Sequence, residues 1–353
     1  RIIFYLLKDN QNLKIVLISN RRIIKYYLNG VLDSERVFIP KWPRYFSILP
    51  SSFFICFIYP ITSLRENKKR LFWGPSFFVP LFGKFFSIVT IHDLVFKLYP
   101  NTQEFYAKFF GNRFINMSMN KSDYISTVSN ITANKIIEIY PDFKNKIFIS
   151  QCSTDFKKLS FETSNRYKWN FKFPKEKYIL YVGSIEPRKN LITLINAFEE
   201  FAIINQDIYL VFVAPRSWKY KSFYKKLDKS IVKDKIKILN YVTDYDLTFL
   251  YKNSFFTVLP SYYEGFGLTA IEAMVLGSSL ICTTESEIPY LFGKKIPEIL
   301  TLFDPFNDNL KIKMEEHIIK DNNHLIKNEF KQLIPKWRDS SRLLFDHFKF
   351  HIK

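Results

Sequence analysis

Two loops combine glycines with charged side chains in the way that phosphate binding requires. Residues 183–190 (GSIEPRKN) follow an apolar run and precede a segment with helical spacing. Gly183 permits close approach to the backbone, and Arg188 with Lys189 places positive charge beside the start of a helix. Such a helix start favours a bound phosphate group. An ordinary loop with a solvated basic pair is the alternative.

The second loop and the helix after it carry two carboxylates. Gly265 and Gly267 expose backbone N–H groups at the positive end of a helix, where a diphosphate could bind. Glu264 precedes this helix and Glu272 lies inside it, two turns further along than Glu264, so both could accept hydrogen bonds from sugar hydroxyls. A capping Glu264 and a solvated Glu272 are the alternative roles. The apolar residues around Glu272 disfavour solvation.

Two further groups of polar residues are weaker candidates for a functional site. His92 and Asp93 end an apolar run in the first half of the chain, where a structural hydrogen bond is the commoner role of such a pair. Asp244 and Asp246 imitate an aspartate pair that could hold a metal ion. Because they precede a helical pattern, we interpret Asp244 as an N-cap and Asp246 as a first-turn acid. We predict no metal site.

Short apolar runs alternate with segments of helical spacing along the whole chain. Runs of this kind are typical of parallel strands that are buried on both faces of a sheet. The predicted strands are Leu13–Ser19, Leu71–Trp73, Phe86–His92, Tyr124–Val128, Ile147–Ser150, Tyr178–Val182, Ile208–Ala214, Ile236–Val242, Phe255–Leu259 and Ser279–Thr283. Asn190 is the predicted N-cap of the helix after Val182, and Gly277 is a predicted C-cap glycine.

The chain divides into two successive halves of this α/β type. Its 353 residues are enough for two domains of ordinary size. The polar stretch from Lys157 to Lys177 contains the predicted boundary, so we expect doubly wound domains over residues 1–165 and 166–335. Residues 336–353 have helical spacing and are predicted to pack back toward the first domain. In open parallel sheets, ligands bind at the carboxyl ends of the strands, where both loops lie.

The composition is that of a folded, strongly basic protein. Hydrophobic residues make up 47% of the chain and charged residues 24%, which excludes a disordered protein. The formal net charge of +19 favours polyanionic partners, namely nucleic acid, an anionic membrane surface or phosphate-bearing substrates. No nucleic-acid-binding motif is present, and we predict no such partner. Cys56, Cys152 and Cys282 are too dispersed for a disulfide framework or a zinc site.

These motifs together resemble those of the retaining glycosyltransferases of family four. Residues 181–191 (YVGSIEPRKNL) look like the phosphate-binding loop of that family, and residues 260–274 (PSYYEGFGLTAIEAM) look like its paired-glutamate donor motif. Residues 90–93, 127–129 and 302–305 support the resemblance, which covers nearly the whole chain. It implies the GT-B fold, in which two Rossmann-like doubly wound domains face a central cleft.

The resemblance also implies a role for each motif residue. Glu264 would hold hydroxyls of the transferred sugar, and Glu272 would hold those of the ribose. Lys189, helped by Arg188, would neutralise the departing diphosphate, and His92 would contact the sugar near the reaction centre. The other implied donor-binding residues surround the diphosphate and the base: Gly183, Ser184, Gly265, Phe266, Gly267, Leu268, Tyr241, Val242 and Thr243.

Two features depart from the family pattern. Many members have an arginine where Ser184 lies, so neutralisation of the phosphates would fall more heavily on Arg188 and Lys189. The chain also begins at what looks like the helix after the family's first strand and glycine-rich loop. If the protein begins there, the alternative function is that of a catalytically impaired member that acts as a binding or scaffolding protein.

Among family members, the first loop looks most like that of bacterial mannosyltransferases. The resemblance implies a hexosyltransferase without metal or other cofactor, with GDP-mannose as the favoured donor and a UDP-sugar as the second option. The acceptor would be a glycan or a lipid-linked glycan in surface-polysaccharide biosynthesis, such as that of lipopolysaccharide, O-antigen or capsule. The protein would be cytoplasmic and peripheral to the inner face of the cell membrane. Two basic clusters would face anionic lipid: Arg65, Lys68, Lys69, Arg70 and Lys219, Lys221, Lys225, Lys226.

Overall fold

The structure is a computed structural model that describes most of the chain. The described residues are 2–18, 37–38, 53–63, 70–103, 111–154, 177–319, 332–349 and 351. The chain separates into two compact units. The N-terminal unit contains Arg1–Leu98, Phe105–Cys152 and Pro335–Lys353, and the C-terminal unit contains Tyr99–Glu104 and Ser153–Ile334. The predicted domain boundary at residues 165/166 lies outside the described residues.

A four-stranded parallel sheet in the order β3-β4-β5-β6 organises the N-terminal unit. Two short strands, β1 and β2, form a separate parallel pair. The described strands of this unit are β1 (Ile15–Val16), β2 (Val37–Phe38), β3 (Arg70–Gly74), β4 (Phe85–Ile91), β5 (Tyr124–Thr127) and β6 (Ile147–Ile149). Its helices up to β6 are α1 (Ile2–Asp9), a π-helical turn (Phe54–Ile58) that continues into α2 (Tyr59–Ser63), α3 (Val95–Leu98), α4 (Asn112–Lys121) and α5 (Asn130–Ile139).

The core of this unit lies around β4. Ile88, Val89 and Ile91 are completely buried, because β4 has a strand on each side and helices or loops on both faces. This burial explains the continuous apolar run that predicts the strand. The strand ends at Ile91 rather than at His92. The predicted strand Leu13–Ser19 is shorter as well, since β1 contains only Ile15–Val16.

A six-stranded parallel sheet in the order β12-β11-β10-β7-β8-β9 organises the C-terminal unit. Its strands are β7 (Tyr178–Val182), β8 (Tyr209–Val213), β9 (Ile236–Leu239), β10 (Phe256–Leu259), β11 (Leu280–Thr283) and β12 (Leu300–Phe303). Its helices are α6 (Leu191–Ile204), α7 (Lys221–Asp228), α8 (Asp244–Asn253), α9 (Leu268–Val275), α10 (Ile288–Phe292) and α11 (Leu310–Ile319). The sequence predicts β7, β8, β10 and β11 closely, but not β12.

Helix α6 buries the face that its sequence pattern predicts. Leu191, Leu194, Ile195 and Phe198 are all at most 3% exposed. Asn190 occupies the N-cap position, but its side chain caps nothing in the helix. Its backbone is left-handed, with φ of +56°, and its side-chain amide donates instead to the carbonyl of Pro260 at 3.1 Å. Asn190 therefore joins two loops of the sheet edge.

Helix α8 shows a second difference from the predicted capping. Its N-cap is Thr243, not Asp244, and strand β9 ends at Leu239 rather than at Val242. The Thr243 hydroxyl accepts from the N–H of Asp246, and the Asp246 carboxylate accepts from the N–H of Thr243. This reciprocal capping box satisfies two N–H groups of the helix start. The prediction that Asp246 is a first-turn acid is confirmed.

The last helix, α12 (Trp337–Lys349), belongs to the N-terminal unit. Its Leu344 is buried against Leu6 of α1 and Phe86 of β4. Ser340 donates to the carbonyl of Gln151 at 2.5 Å, just after the end of β6. These contacts attach the C-terminal segment to the same core that β4 organises. In the part of the chain that the structure describes, no helix is both long and apolar enough to cross a membrane.

Candidate active site

The two predicted loops meet because their strands are neighbours. Strand β7 pairs with β10, so the loops that follow them leave the same edge of the sheet side by side. The N–H of Tyr262 in the second loop donates to the carbonyl of Arg188 in the first at 3.0 Å. Together with the bond between Asn190 and Pro260, this contact makes the pair of loops one structural unit.

The carboxylate of Glu264 lies at the centre of this junction. It accepts from Lys189 Nζ at 2.7 Å, from Arg188 Nη1 at 3.0 Å and from the Ser261 hydroxyl at 2.5 Å. Burial opposes the charged form of this carboxyl. The positive charges of Lys189 and Arg188, with the two hydrogen bonds from Lys189 and Ser261, outweigh burial and lower the pKa of Glu264 to about 2. Glu264 is therefore ionised at neutral pH.

Arg188 connects this carboxylate to a second one. Its Nη2 donates to Glu186 Oε1 at 2.6 Å, and its Nη1 also donates to the carbonyl of Tyr263 at 2.8 Å. Only 1% of the Glu186 side chain is exposed. Among the described residues, no group donates to Glu186 Oε2. Burial raises the pKa of Glu186, although Arg188 and Lys189 act in the opposite direction.

Sequence reasoning assigned no role to Glu186. It lies inside the loop that the sequence singles out, two residues before Arg188. The only signal in the sequence is the placement of an acid beside two bases, which an exposed loop would also show. The nearly complete burial of the carboxylate separates the two cases, and that burial depends on the packing of neighbouring loops.

Glycines shape both loops at the positions that the sequence predicts. Gly183 has φ of +153°, and a Cβ atom there would lie 2.7 Å from the hydroxyl oxygen of Tyr181. That hydroxyl donates to the carbonyl of Ser184 at 3.1 Å, so the loop folds tightly over the end of β7. Gly267 has φ of +99° and is the N-cap of α9. A side chain at either position would strain the loop.

The turn between Glu264 and α9 presents the start of a helix at the same sheet edge. The first N–H groups of a helix have no acceptor within it, so the start of α9 after Gly267 offers N–H groups from which an anion can accept. Phe266 is buried, and its carbonyl accepts from the N–H of Glu287 at 3.2 Å. The N–H of Glu264 donates to the carbonyl of Glu285 at 2.8 Å. Backbone bonds to the loop after β11 thus hold Gly265 and its neighbours.

Glu272 lies on α9, and no cation among the described residues pairs with its carboxylate. In the part of the chain that the structure describes, no group donates a hydrogen bond to its half-buried carboxylate. Burial and, second, the negative charge of Asp244 raise the pKa of Glu272 to about 7. The charge of Glu272 in turn contributes to the raised pKa of the buried Tyr251 hydroxyl. At neutral pH, Glu272 is therefore close to half protonated.

The predicted base-binding residues lie apart from the ion cluster. Tyr241 is 84% exposed, and Val242 and Thr243 follow it in the loop after β9. This loop leaves the same edge of the sheet as the donor loops, but β8 lies between β9 and β7. The structure thus places Tyr241–Thr243 along the edge from Lys189 and Glu264 rather than in contact with them.

His92 belongs to the N-terminal unit, at the carboxyl end of β4. Its Nε2 lies 2.6 Å from the carbonyl oxygen of Pro75, and because a carbonyl only accepts, Nε2 carries the proton. The ring also packs edge-on against Phe77, with 5.6 Å between the ring centroids. The neighbouring Asp93 accepts from the N–H of Val95 at the start of α3. The structural hydrogen bonds that the sequence allows for this pair are both present.

A segment from the first half of the chain contacts the donor loops, which sequence reasoning did not predict. Tyr99 belongs to the C-terminal unit, where its ring stacks on those of Tyr262 and Tyr263, on the amino-terminal side of Glu264. Its hydroxyl donates to the carbonyl of Tyr262 at 3.2 Å. Three residues later, the carbonyl of Thr102 accepts from the Trp218 indole at 2.7 Å. No sequence pattern indicates these long-range contacts.

Two further predictions concern a metal site, which the sequence does not predict, and two basic clusters. Among the described residues, no group of three or more His, Cys, Asp or Glu side chains could hold a metal ion. Arg65, Lys68 and Lys69 lie outside the described residues. In the other cluster, Lys219 donates to the carbonyl of Asn101 and Lys226 pairs with Glu199, so both ammonium groups already have acceptors.

Comparison with known proteins finds a family model that matches most of the C-terminal unit. Residues 164–328 match the family described as glycosyl transferases group 1, a range that contains both loops and the ion cluster. The predicted resemblance to family-four glycosyltransferases is thereby confirmed.

Two curated relatives named as O-antigen mannosyltransferases align with much of the chain. The chain is 27% identical over 234 residues to O-antigen chain mannosyltransferase B of Escherichia coli, covering 65% of this chain and 61% of that protein. It is 26% identical over 291 residues to O-antigen chain mannosyltransferase RfbU of Salmonella typhimurium, covering 79% of this chain and 76% of that protein. The aligned region thus spans less than two thirds of the first relative.

A solved structure matches nearly the whole fold of this chain. The structure of Alr3699/HepE of Anabaena, in complex with UDP, covers 98% of this chain and 94% of its own, with a TM-score of 0.67 and 13% sequence identity. At this identity the likeness concerns the fold alone. The prediction of the GT-B class, with a parallel α/β sheet in each of two units, is confirmed.

Proposed function

We propose that the protein is a retaining hexosyltransferase that uses a nucleoside-diphosphate sugar as its donor. The observation that carries this proposal is the ion cluster of Glu264, Lys189 and Arg188, at the junction of two loops on the carboxyl edge of the sheet. Such a cluster contains the two kinds of group that bind a sugar diphosphate. Its carboxylate can accept hydrogen bonds from hydroxyl groups, and its cations can pair with phosphate oxygens.

The chemistry of glycosyl transfer matches these groups. When the bond between the sugar and the diphosphate breaks, positive charge develops on the ring and negative charge on the departing phosphate. Preorganised cations and N–H groups that stabilise the departing oxygens contribute several kcal/mol, on the order of 3 for one donor. Lys189 and the first N–H groups of α9 would supply this stabilisation, with the loop glycines allowing close approach.

The acid that binds the sugar and the acid that binds the ribose would be different residues. Glu264 would accept from hydroxyls of the transferred hexose, and Glu272 would accept from the ribose hydroxyls. Exposed aromatic rings stack well on nucleotide bases. Tyr241, with Val242 and Thr243, would therefore contact the base. His92 would contact the sugar near the reaction centre. No metal would be needed, because the diphosphate charge would be balanced by side chains and helix N–H groups.

GDP-mannose is the donor that we favour, because the curated relatives are named as mannosyltransferases. A UDP-sugar is the second option, in view of the UDP complex of the structural relative. The acceptor would be a glycan or a lipid-linked glycan of a surface polysaccharide. For lipid-linked acceptors, the protein would act at the cytoplasmic face of the membrane, attracted to anionic headgroups by its net charge of +19.

Nucleotide binding and sugar transfer test this proposal directly. Thermal unfolding would be followed with GDP, UDP or ADP and with their common sugars. A ligand present at about 100 times its dissociation constant adds about 2.7 kcal/mol of stability. We expect one nucleotide to raise the melting temperature and its sugar conjugate to be consumed when acceptor glycan is added. Failure of every nucleotide to bind would contradict the proposal and favour a scaffolding role.

The experiment has a matched pair of variants. Glu272→Ala should abolish the stabilisation by nucleotide if its carboxylate holds the ribose. Glu138→Ala is the control, because Glu138 belongs to the N-terminal unit and its side chain is 68% exposed in a pair with Lys135. Equal nucleotide responses of both variants would remove Glu272 from the proposed site, while leaving the proposed function to be judged on the wild-type protein.

A further inference from the structure

Four buried side chains of the donor loops form one cluster with balanced formal charges. Arg188 and Lys189 are the cations, and Glu186 and Glu264 are the carboxylates. Between 1% and 16% of each side chain is exposed, so water screens these charges weakly. A diphosphate that enters a cluster without excess positive charge gains little, unless one of the cations exchanges its carboxylate for a phosphate oxygen.

Arg188 is fixed too firmly to be that cation. Both N–H groups of Nη1 are used, one by Glu264 Oε2 and one by the carbonyl of Tyr263, and Nη2 donates to Glu186. Removing Arg188 from Glu186 would leave a carboxylate with 1% of its side chain exposed and without the cation that pairs with it. An uncompensated buried charge of this kind is strongly unfavourable.

Lys189 has the opposite character. Its Nζ carries three N–H groups on a flexible stem, and it donates to Glu264 Oε1. If Lys189 turns to a phosphate, Glu264 still accepts from Arg188 and Ser261. The same movement frees one acceptor position on Glu264 Oε1, which still accepts from Ser261, for a hydroxyl of the sugar. One exchange thus provides a cation for the diphosphate and an acceptor for the hexose.

We propose that the two adjacent cations have different tasks in donor binding. Lys189 transfers its charge from Glu264 to the diphosphate, whereas Arg188 is a positioning residue that stays between Glu186 and Glu264 and holds Glu264 Oε2 in place. Glu186 is the second positioning residue, because it fixes the guanidinium of Arg188. This inference rests on the proposed function, since it concerns the same nucleotide-sugar site.

A charge-matched pair of variants tests this division. Arg188→Met and Lys189→Met each remove one positive charge from the same cluster, so their difference reports direct contact with phosphate rather than net charge. Calorimetric titration with GDP and with UDP would give affinities, and transfer assays with the corresponding sugar donors would give kcat and KM. We expect Lys189→Met to weaken nucleotide binding about tenfold or more.

Arg188→Met should behave differently in the same assays. We expect its nucleotide affinity to fall by about threefold at most, from the change in net charge alone. Its kcat should fall about tenfold or more while the donor KM changes little, because Glu264 is no longer aligned with the sugar. Glu186→Gln should also lower kcat with little change in the donor KM, but by a smaller factor. Equal losses of nucleotide affinity in Arg188→Met and Lys189→Met would overturn the inference.

Two further results keep the outcome unambiguous. If Arg188→Met does not fold, as circular dichroism would show, the double variant Glu186→Gln/Arg188→Met replaces it, because it removes both buried charges together. Its affinity for GDP or UDP should still exceed that of Lys189→Met, and the reverse order would overturn the inference. If the wild-type protein binds no nucleotide, the proposed function fails and the inference falls with it.

Discussion

Glu264 and Glu272 come from one motif and differ by eight positions, yet they lie in opposite electrostatic environments. Glu264 ends a loop in which Lys189 and Arg188 contact its carboxylate. Glu272 lies on α9, where burial and then the charge of Asp244 act on its pKa. The pKa of Glu264 is lowered to about 2, and that of Glu272 is raised to about 7.

The difference between the two regions shows that burial alone does not decide the charge of an acid. Burial acts on both carboxyls in the same direction, toward the neutral form. The cations that reverse its effect on Glu264 come from the loop after β7, which is far away in the sequence. The loop side of the motif, at Glu264, is therefore suited to contacts with charged groups. The helix side, at Glu272, is suited to hydrogen bonds that can form whether or not the carboxyl carries a proton.

The largest expected effect comes from removing the charge on the loop side. Glu264→Gln removes the carboxylate that pairs with Lys189 and one of the two carboxylates that pair with Arg188, and it removes the charge of the proposed acceptor for the sugar. We expect transfer activity to fall about 100-fold and stability to fall by about 3 kcal/mol. Assays of sugar transfer and chemical denaturation would measure the two effects.

Glu272→Gln is the matched control within the same motif. It should cost little stability at neutral pH, because the carboxyl there is already close to half protonated and has no partner cation among the described residues. A loss of stability as large as that of Glu264→Gln would contradict the comparison between the two regions.

Opposite dependences on pH provide the second way to test the comparison. The lowered pKa of Glu264 means that its contribution to stability is complete above its ordinary value of 4.5 and is lost as the pH falls toward about 2. The raised pKa of Glu272 means that its contribution is complete below 4.5 and is lost as the pH rises toward about 7. Each contribution is on the order of 3 kcal/mol.

Denaturation of three proteins over this pH range would separate the two groups. Glu264→Gln should flatten the acidic limb of the stability curve and leave the limb between about pH 4.5 and 7 unchanged. Glu272→Gln should do the reverse. If both variants flatten the same limb, the two carboxyls do not titrate as the comparison requires.

Much of the fold could be predicted because its central strands are buried on both faces. Tyr178–Val182 is buried at every position, and its apolar run predicts β7 with the correct ends. Strand β12 was missed because Leu300–Phe303 includes Thr301 and has no helix-patterned segment directly before it. Strand β9 was predicted too long, because the apolar character of Tyr241 and Val242 belongs to a loop.

The site could be predicted only as two separate loops. Sequence spacing identifies Lys189 and Glu264 as charged residues beside helix starts, 75 positions apart. Their contact follows from the pairing of β7 with β10, and strand order in a doubly wound sheet is not encoded in local periodicity. The same reason explains why Glu186 and Tyr99 were missed, since their roles depend on which loops and segments pack beside them.

Nucleotide affinity offers a third and smaller test of the helix side. If ribose hydroxyls donate to Glu272, they stabilise its charged form, because hydrogen bonds to ionised acceptors are the stronger ones. Affinity for GDP or UDP should then rise about fivefold between about pH 6 and pH 8. Calorimetric titration at several pH values would measure it. The diphosphate has its own titration, which is common to wild type and Glu272→Gln, so only the difference between the proteins counts. A difference that does not vary with pH would contradict the prediction.

The smallest expected effect concerns Asp244, whose charge acts on the pKa of Glu272 and is not among the causes that act on Glu264. Its negative charge adds to burial in raising the pKa of Glu272, and burial is the larger cause. Asp244→Asn should therefore lower the midpoint of the limb that Glu272 produces by roughly half a pH unit, without returning it to the ordinary value. Asp228→Asn is the control, because Asp228 lies in the same unit with 65% of its side chain exposed and pairs with Lys233. A midpoint that returns to 4.5 would mean that a single charge, and not burial, distinguishes Glu272 from Glu264.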